Sequence, residues 1–151
     1  MKIDLTGLLK REEPPFRSLE EAKDRVARYL LSFIHIELEG LPKKEWDKTL
    51  NTWLKIIGFA KNLVRLSEEK RREIYGKYKF DGIMEGIMEE SVKTILGLYL
   101  LGLSKPQDEP KEILRKIIEL IYGDKEIYER EKFKEEIIDY IKEFLEKKRE
   151  D

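Results

Sequence analysis

Residues 82–103 read GIMEGIMEESVKTILGLYLLGL and contain the longest uncharged apolar run of the chain, from Thr94 to Leu103. This run is about half as long as the roughly 20 residues that a helix needs to cross a bilayer, so it predicts no transmembrane segment. A helix that is apolar on nearly every side is buried inside a protein. We therefore predict a buried central helix at about 82–103.

Helical periodicity extends on both sides of this stretch. Apolar residues recur every three or four positions in 18–39, 43–66 and 125–148, which is the spacing of one helical face. Two more helices are predicted. One is short and charged and follows Ser67, and the other begins near Ser104 or Asp108 and stops at Gly123. Since no alternating strand pattern of useful length occurs, the sequence predicts an all-α, single-domain bundle of five to six helices around the central helix.

Turn residues mark the borders of this bundle. Pro14 and Pro15 prevent a helix from continuing through them, because each ring removes a backbone donor and crowds the preceding turn. Ser18 stands three residues before Glu21, the spacing of a capping box that opens a helix. We accordingly divide the chain into an amino-terminal arm at 1–17, a helical domain at 18–148 and a charged tail at 149–151.

Charge is abundant but balanced. Of the 151 residues, 31 are Lys or Arg and 32 are Asp or Glu, and the net charge is −1. This balance excludes the strongly basic class of proteins whose overall field draws them to nucleic acid or anionic membranes. A composition rich in Lys and Glu and poor in amide side chains is typical of thermophilic proteins.

The chain has no cysteine. Disulfides, thiolate metal sites, iron–sulfur clusters and a cysteine nucleophile are therefore excluded. Residues 1–10 mix Lys2, Asp4 and Lys10 with apolar residues and lack the pattern of a secretory signal, so we expect a cytoplasmic protein without a membrane partner.

Carboxylates and the single histidine provide candidate metal ligands. Glu85 and Glu89 are four residues apart on the predicted central helix, where buried carboxylates must be paired, metal-bound or protonated. Glu39 follows His35 by four residues on one helical face. If Glu85 and Glu89 bind a metal, Mg²⁺ or Mn²⁺ is preferred, because no softer ligand is at hand; the alternative is that these carboxylates lie near the helix start and interact with its dipole. For His35 the alternative is a histidine at a helix end near a carboxylate.

A basic segment provides a candidate nucleic-acid surface. Residues 61–79 contain seven cations and three acids, with Tyr75 and Tyr78 interleaved, a composition that suits phosphate contacts and base stacking. The alternative is a short solvated helix. The seven cations are Lys61, Arg65, Lys70, Arg71, Arg72, Lys77 and Lys79.

Two groups of apolar residues are candidates for protein association. Methionine suits adaptable interfaces, and Met84 and Met88 lie on the predicted central helix among glycines that favour close helix crossings. The last predicted helix carries an apolar stripe with coiled-coil-like spacing. Its members are Phe133, Ile137, Ile141 and Phe144.

These patterns rank three hypotheses for function. The first is a non-enzymatic helical protein-interaction domain without a cofactor, either a homo-oligomer, with a dimer favoured because symmetric dimers are the commonest assemblies, or a subunit or adaptor of a larger complex. The second is a nucleic-acid-associated protein that uses residues 61–79. The third is a Mg²⁺- or Mn²⁺-dependent enzyme with carboxylates on the central helix.

Overall fold

The computed structural model describes residues 17–150, except for the side chains of 148–150. The predicted arm at 1–17, apart from Arg17, and Asp151 of the predicted tail lie outside the described residues. All regular secondary structure between residues 17 and 150 is helical, which confirms the predicted all-α class. No helix in this range has both the length and the apolar character needed to cross a membrane.

The helices follow the predicted order, with two differences. The first predicted helix is three consecutive segments, and the last is two separate helices. In chain order they are α1 (Leu19–Arg25), a π-helical segment (Val26–Leu31), α2 (Ser32–Glu39), a 3₁₀ turn (Lys43–Glu45), α3 (Trp46–Leu63), α4 (Glu68–Lys77), α5 (Gly82–Leu100), α6 (Pro110–Ile121), α7 (Lys125–Glu131) and α8 (Glu135–Glu150).

One hydrophobic core joins these helices. Helix α5 packs against α3, α1 and the π-helical segment, while α3 also packs against α2 and α6. Helix α8 closes the bundle against α2 and α6. Fully buried side chains such as Leu30, Ile57 and Ile95 come from the three inner elements. We call α1, the π-helical segment and α2 together the first helical run. The core lies between this run, α3 and the second half of α5.

Side-chain caps open several helices where the sequence predicts them. The Ser18, Ser67 and Asp124 side chains each accept a hydrogen bond from a backbone N–H three residues later. Helix α6 does not start at Ser104 or Asp108 as predicted: its N-cap is Glu109, whose side chain makes no capping bond. Asp108 instead accepts bonds from Ser104 Oγ, Lys105 N and Lys116 Nζ, so it stabilises the loop before α6.

The predicted helix at 125–148 is interrupted at Lys132. This residue adopts φ 58° and ψ 37°, the left-handed conformation, and ends α7. Three residues later α8 begins in a new direction. A left-handed residue at a helix end is commonly glycine, which has no Cβ to clash with the following carbonyl. Because the residue here is lysine and not glycine, the sequence did not predict that the helix ends at this position.

We predict that Lys132→Gly raises the free energy of unfolding by about 0.5–1 kcal/mol, because glycine relieves the steric cost of the left-handed conformation. Lys132→Ala is the matched control, since it removes the same exposed side chain but keeps the Cβ. Urea unfolding monitored by circular dichroism measures both. If the two variants changed the free energy of unfolding equally, the left-handed conformation of Lys132 would have no steric cost that glycine relieves.

Candidate functional site

Helix α5 has two halves with opposite environments. Its buried side chains run from Met88 to Tyr99, where the helix passes through the core. Its first half, before Met88, is only partly buried, and Ile83 there is 77% exposed. The predicted central helix at 82–103 is therefore buried only over its second half.

An apolar groove lies between this first half of α5 and the first helical run. Tyr29 and Phe33 form one wall, and Ile83 and Ile87 stand on the other. The groove has a volume of about 420 Å³. Ile36 does not line the groove itself, but it follows Phe33 by three residues, a spacing that places both on one side of a helix, and it is exposed. We call this surface the Ile83 face; it consists of Tyr29, Phe33, Ile36, Gly82, Ile83, Gly86 and Ile87.

Two glycines keep the groove open. A Cβ atom placed on Gly82 or on Gly86 would meet no other atom within 4 Å. Glycine in the interior of a helix lowers its stability by about 1 kcal/mol relative to alanine. No packing contact inside the described chain therefore requires glycine at Gly86, and its effect is a recess in the surface.

The π-helical segment sets the position of Tyr29. The hydroxyl and the backbone N–H of Ser32 both donate to the carbonyl of Ala27, which is five residues earlier, as π-helical geometry requires. Short π-helical insertions inside α-helices are frequent at functional sites. The guanidinium of Arg25 lies 5.4 Å from the centre of the Tyr29 ring. This cation also binds Glu90 through two hydrogen bonds of 2.7 and 2.9 Å.

Exposed apolar side chains are concentrated on the Ile83 face. Seven large apolar side chains are exposed between residues 17 and 147, and four of them belong to this face. Tyr29 and Phe33 are 40% exposed and Ile36 is 64% exposed. With roughly 200 Å² for a large side chain, the four expose about 400 Å² together, within the range of the largest apolar patch on a typical monomer, which is often functional.

A buried ion pair holds α4 against the other side of α5. Arg71 is 2% exposed, and its Nε and Nη2 atoms donate to the two oxygens of Glu89 at 2.8 and 2.9 Å. Its Nη1 atom donates to the carbonyl of Leu66, and the Tyr75 hydroxyl donates to Glu89 Oε2 at 2.5 Å. Arg71 and Tyr75 are sealed from solvent, so their bonds to Glu89 hold α4 and α5 together inside the fold.

The ionisation of this cluster follows from its contacts. Burial raises the pKa of Glu89, but the hydrogen bonds from Arg71 and Tyr75 outweigh burial and hold the pKa below its ordinary value. Burial and the bond to Glu89 raise the pKa of Tyr75 far above its ordinary value. The pair is therefore charged and the tyrosine neutral at physiological pH.

The candidate metal ligands do not come together. Both oxygens of Glu89 are bound by Arg71, and Glu85 is half-buried one turn earlier on α5. His35 is on α2, where its Nε2 atom accepts a hydrogen bond from Lys134 N. Among the described residues, no three His, Asp or Glu side chains are arranged to hold a metal ion.

His35 connects α2 to the start of α8. It is 3% exposed, and the bond from Lys134 N to its Nε2 atom is 2.7 Å long. Its Nδ1 atom lies 3.7 Å from Glu39, and its ring packs against Phe133 with the ring centres 5.3 Å apart. Burial lowers its pKa, and Lys134 adds to this, while Glu39 opposes it. The neutral imidazole thus satisfies a backbone donor where α8 begins.

The basic segment at 61–79 is not entirely on the surface. Arg71 points into the protein, which leaves six cations against three acids and lowers the local surplus from four charges to three. Lys61 Nζ donates to the carbonyl of Asp108, and Arg72 forms an ion pair with Glu68. The remaining four cations lie at solvent-exposed positions: Arg65, Lys70, Lys77 and Lys79.

The apolar candidates for association lie mostly in the core of the chain. Met84 is half-buried at the edge of α5. The other five side chains are buried against neighbouring helices, so they are not on the surface of the folded chain. These five are Met88, Phe133, Ile137, Ile141 and Phe144.

Sequence periodicity missed the Ile83 face because Tyr29 and Phe33 fit the apolar period predicted for 18–39, which does not distinguish them from core residues. One signal was available: the stretch 26–38, VARYLLSFIHIEL, is apolar on more than one side of a helix. Such a helix has more apolar residues than a single core face uses. The excess residues are those that the π-helical segment and α2 leave exposed.

The fold and the site together define an all-α domain with an exposed apolar face. The chain belongs to the family of a protein of Aquifex aeolicus (strain VF5) described as uncharacterized, to which it is 56% identical over 147 residues. The match covers 97% of this chain and 99% of the relative. No family model and no solved structure matches the chain.

We predict that Glu89→Gln lowers the free energy of unfolding by about 3–5 kcal/mol, because it leaves the buried guanidinium of Arg71 without its counter-charge. The matched control is Glu68→Gln, which removes the same charge from the exposed pair with Arg72 and changes stability by less than about 0.5 kcal/mol. Chemical unfolding at pH 7 measures both. Equal losses would show that the Arg71 pair contributes no more than a surface pair.

We also predict a histidine-dependent loss of stability in mild acid. The folded-state pKa of His35 is below its unfolded value, so its contribution is present above the unfolded pKa of about 6.5 and declines as pH falls through that region. Protonation of Nε2 removes the acceptor for Lys134 N. The difference in unfolding free energy between the wild type and His35→Gln should therefore shrink from pH 7.5 to about pH 5. A constant difference would contradict this role.

Proposed function

We propose that the protein is a helical protein-interaction domain and that the Ile83 face is its docking surface. The observation that carries the proposal is the concentration of four exposed apolar side chains beside a recess formed by Gly82 and Gly86. Isolated exposed apolar residues are normal on protein surfaces, but a contiguous patch beside a groove is typical of association sites.

The chemistry of the face favours binding over catalysis. Glu90 is the acidic side chain that lines the groove, and both of its oxygens are bound by Arg25. Catalytic pockets place several polar or titratable groups toward one point. The groove instead presents two aromatic rings and two isoleucines, which suits an apolar ridge such as one side of an amphipathic helix.

Site-specific photo-crosslinking tests the proposal. A benzophenone amino acid replaces Ile83 in the full chain, which is then irradiated in a soluble extract of the source organism. We expect one discrete adduct, identified by mass spectrometry. Excess wild-type chain competes away an adduct with a different protein, or is itself incorporated into an adduct of two chains, whereas excess Ile83→Gln does neither. Burying a large apolar anchor commonly contributes about 2 kcal/mol to binding, which is enough for this selectivity.

The matched control carries the benzophenone at Tyr122, which is 41% exposed and does not belong to the Ile83 face. It should give no competed adduct. The same adducts from both positions, or none from position 83, would contradict a docking function for the face.

A further inference from the structure

We infer that the partner of the Ile83 face is a second copy of this chain, related to the first by a twofold axis. This inference rests on the proposed function and names its partner. A twofold contact places the same surface against itself, so the surface must be complementary to itself in shape and in charge.

The shape of the face meets this requirement. Ile83 protrudes with 77% of its surface exposed, and the open backbone at Gly86 lies one turn further along the same helix. In a twofold arrangement with the axis near this turn, Ile83 of each copy enters the recess of the other. A foreign partner needs only a ridge or only a recess, whereas a second copy needs both on one surface.

The charges around the face also permit self-association. A surface of one sign repels its own copy, because a twofold axis brings like charges together. Charges of both signs lie beside Tyr29: Arg25 binds Glu90, and Asp24 binds both Arg28 and Arg130. This side of the face therefore has no surface of a single sign that would repel its own copy.

The apolar area agrees with one symmetric interface. A standard interface buries about 1,600 Å² in total, of which somewhat more than half, about 900 Å², is non-polar. The four exposed side chains supply about 400 Å² from each copy, or about 800 Å² from two copies. Two Ile83 faces thus provide nearly all the non-polar area of an interface of this size.

Sedimentation equilibrium of the full chain tests the inference over about 1–500 µM, the range in which moderate homodimers dissociate. We expect a reversible approach to twice the chain mass of 18.1 kDa. Ile83→Gln should raise the dissociation constant at least about tenfold, because the substitution occurs twice in each dimer. Gly86→Gln should raise it similarly by filling the recess.

Two controls separate the interface from the fold. Gly86→Gln improves the helix propensity of an open, exposed position, so it should leave helix content and thermal unfolding of the dilute monomer intact. Tyr122→Gln removes an exposed aromatic ring elsewhere and should change the dissociation constant less than about threefold. A wild-type chain that is monomeric throughout the range, or a dimer that neither Ile83→Gln nor Gly86→Gln weakens, would overturn the inference.

The outcome also distinguishes this inference from the proposed function. In one outcome the wild type is monomeric while the crosslinker at position 83 gives a competed adduct with a different protein. That result would overturn the inference that the partner is a second copy, but would support docking at the Ile83 face. A monomer without any competed adduct overturns both. An adduct of twice the chain mass, together with a dimer that the two glutamine variants weaken, supports both.

Discussion

The buried guanidinium of Arg71 is the constraint on which the arrangement of α4 and α5 depends. A charge that is 2% exposed must be fully paired, since an unpaired buried ion costs several kcal/mol. Glu89 meets this requirement from α5. The next residue, Glu90, binds Arg25 in the same two-bonded manner. Adjacent residues of α5 thereby hold α4 on one side and the first helical run on the other.

These two pairs determine which part of α5 is left uncovered. They lie near the middle of the helix, at the boundary between its exposed and buried halves. Beyond them toward Tyr99 the helix passes through the core, while before them Ile83 and Gly86 face outward. The Arg25–Glu90 pair joins the two elements that form the groove between Phe33 and Ile83. A contact that holds binding elements in place before association lowers the conformational entropy lost on binding.

The sequence predicts local features of this molecule well and long-range ones poorly. The apolar period and the side-chain caps at Ser18 and Ser67 act within one turn, so the all-α class and most helix starts could be predicted. The break between α7 and α8 could not, because the bond from Lys134 N just before α8 reaches His35, which is 99 residues away. The candidate metal pair Glu85 and Glu89 shows the same limit: periodicity places both on α5 but does not reveal that Arg71 binds one of them.

The recess at Gly86 connects stability to association. An interior helical glycine costs about 1 kcal/mol relative to alanine, and here no neighbouring atom lies within 4 Å of the position where a Cβ would stand. Nothing among the described residues recovers that cost. Gly76 in α4 is open in the same way, but Gly86 also lines an apolar groove, and positions that break a local rule without compensation inside the fold are expected at functional sites. Glycine lets another backbone approach more closely than any other residue does. A symmetric contact at Gly86 would bring the second copy this close to each chain.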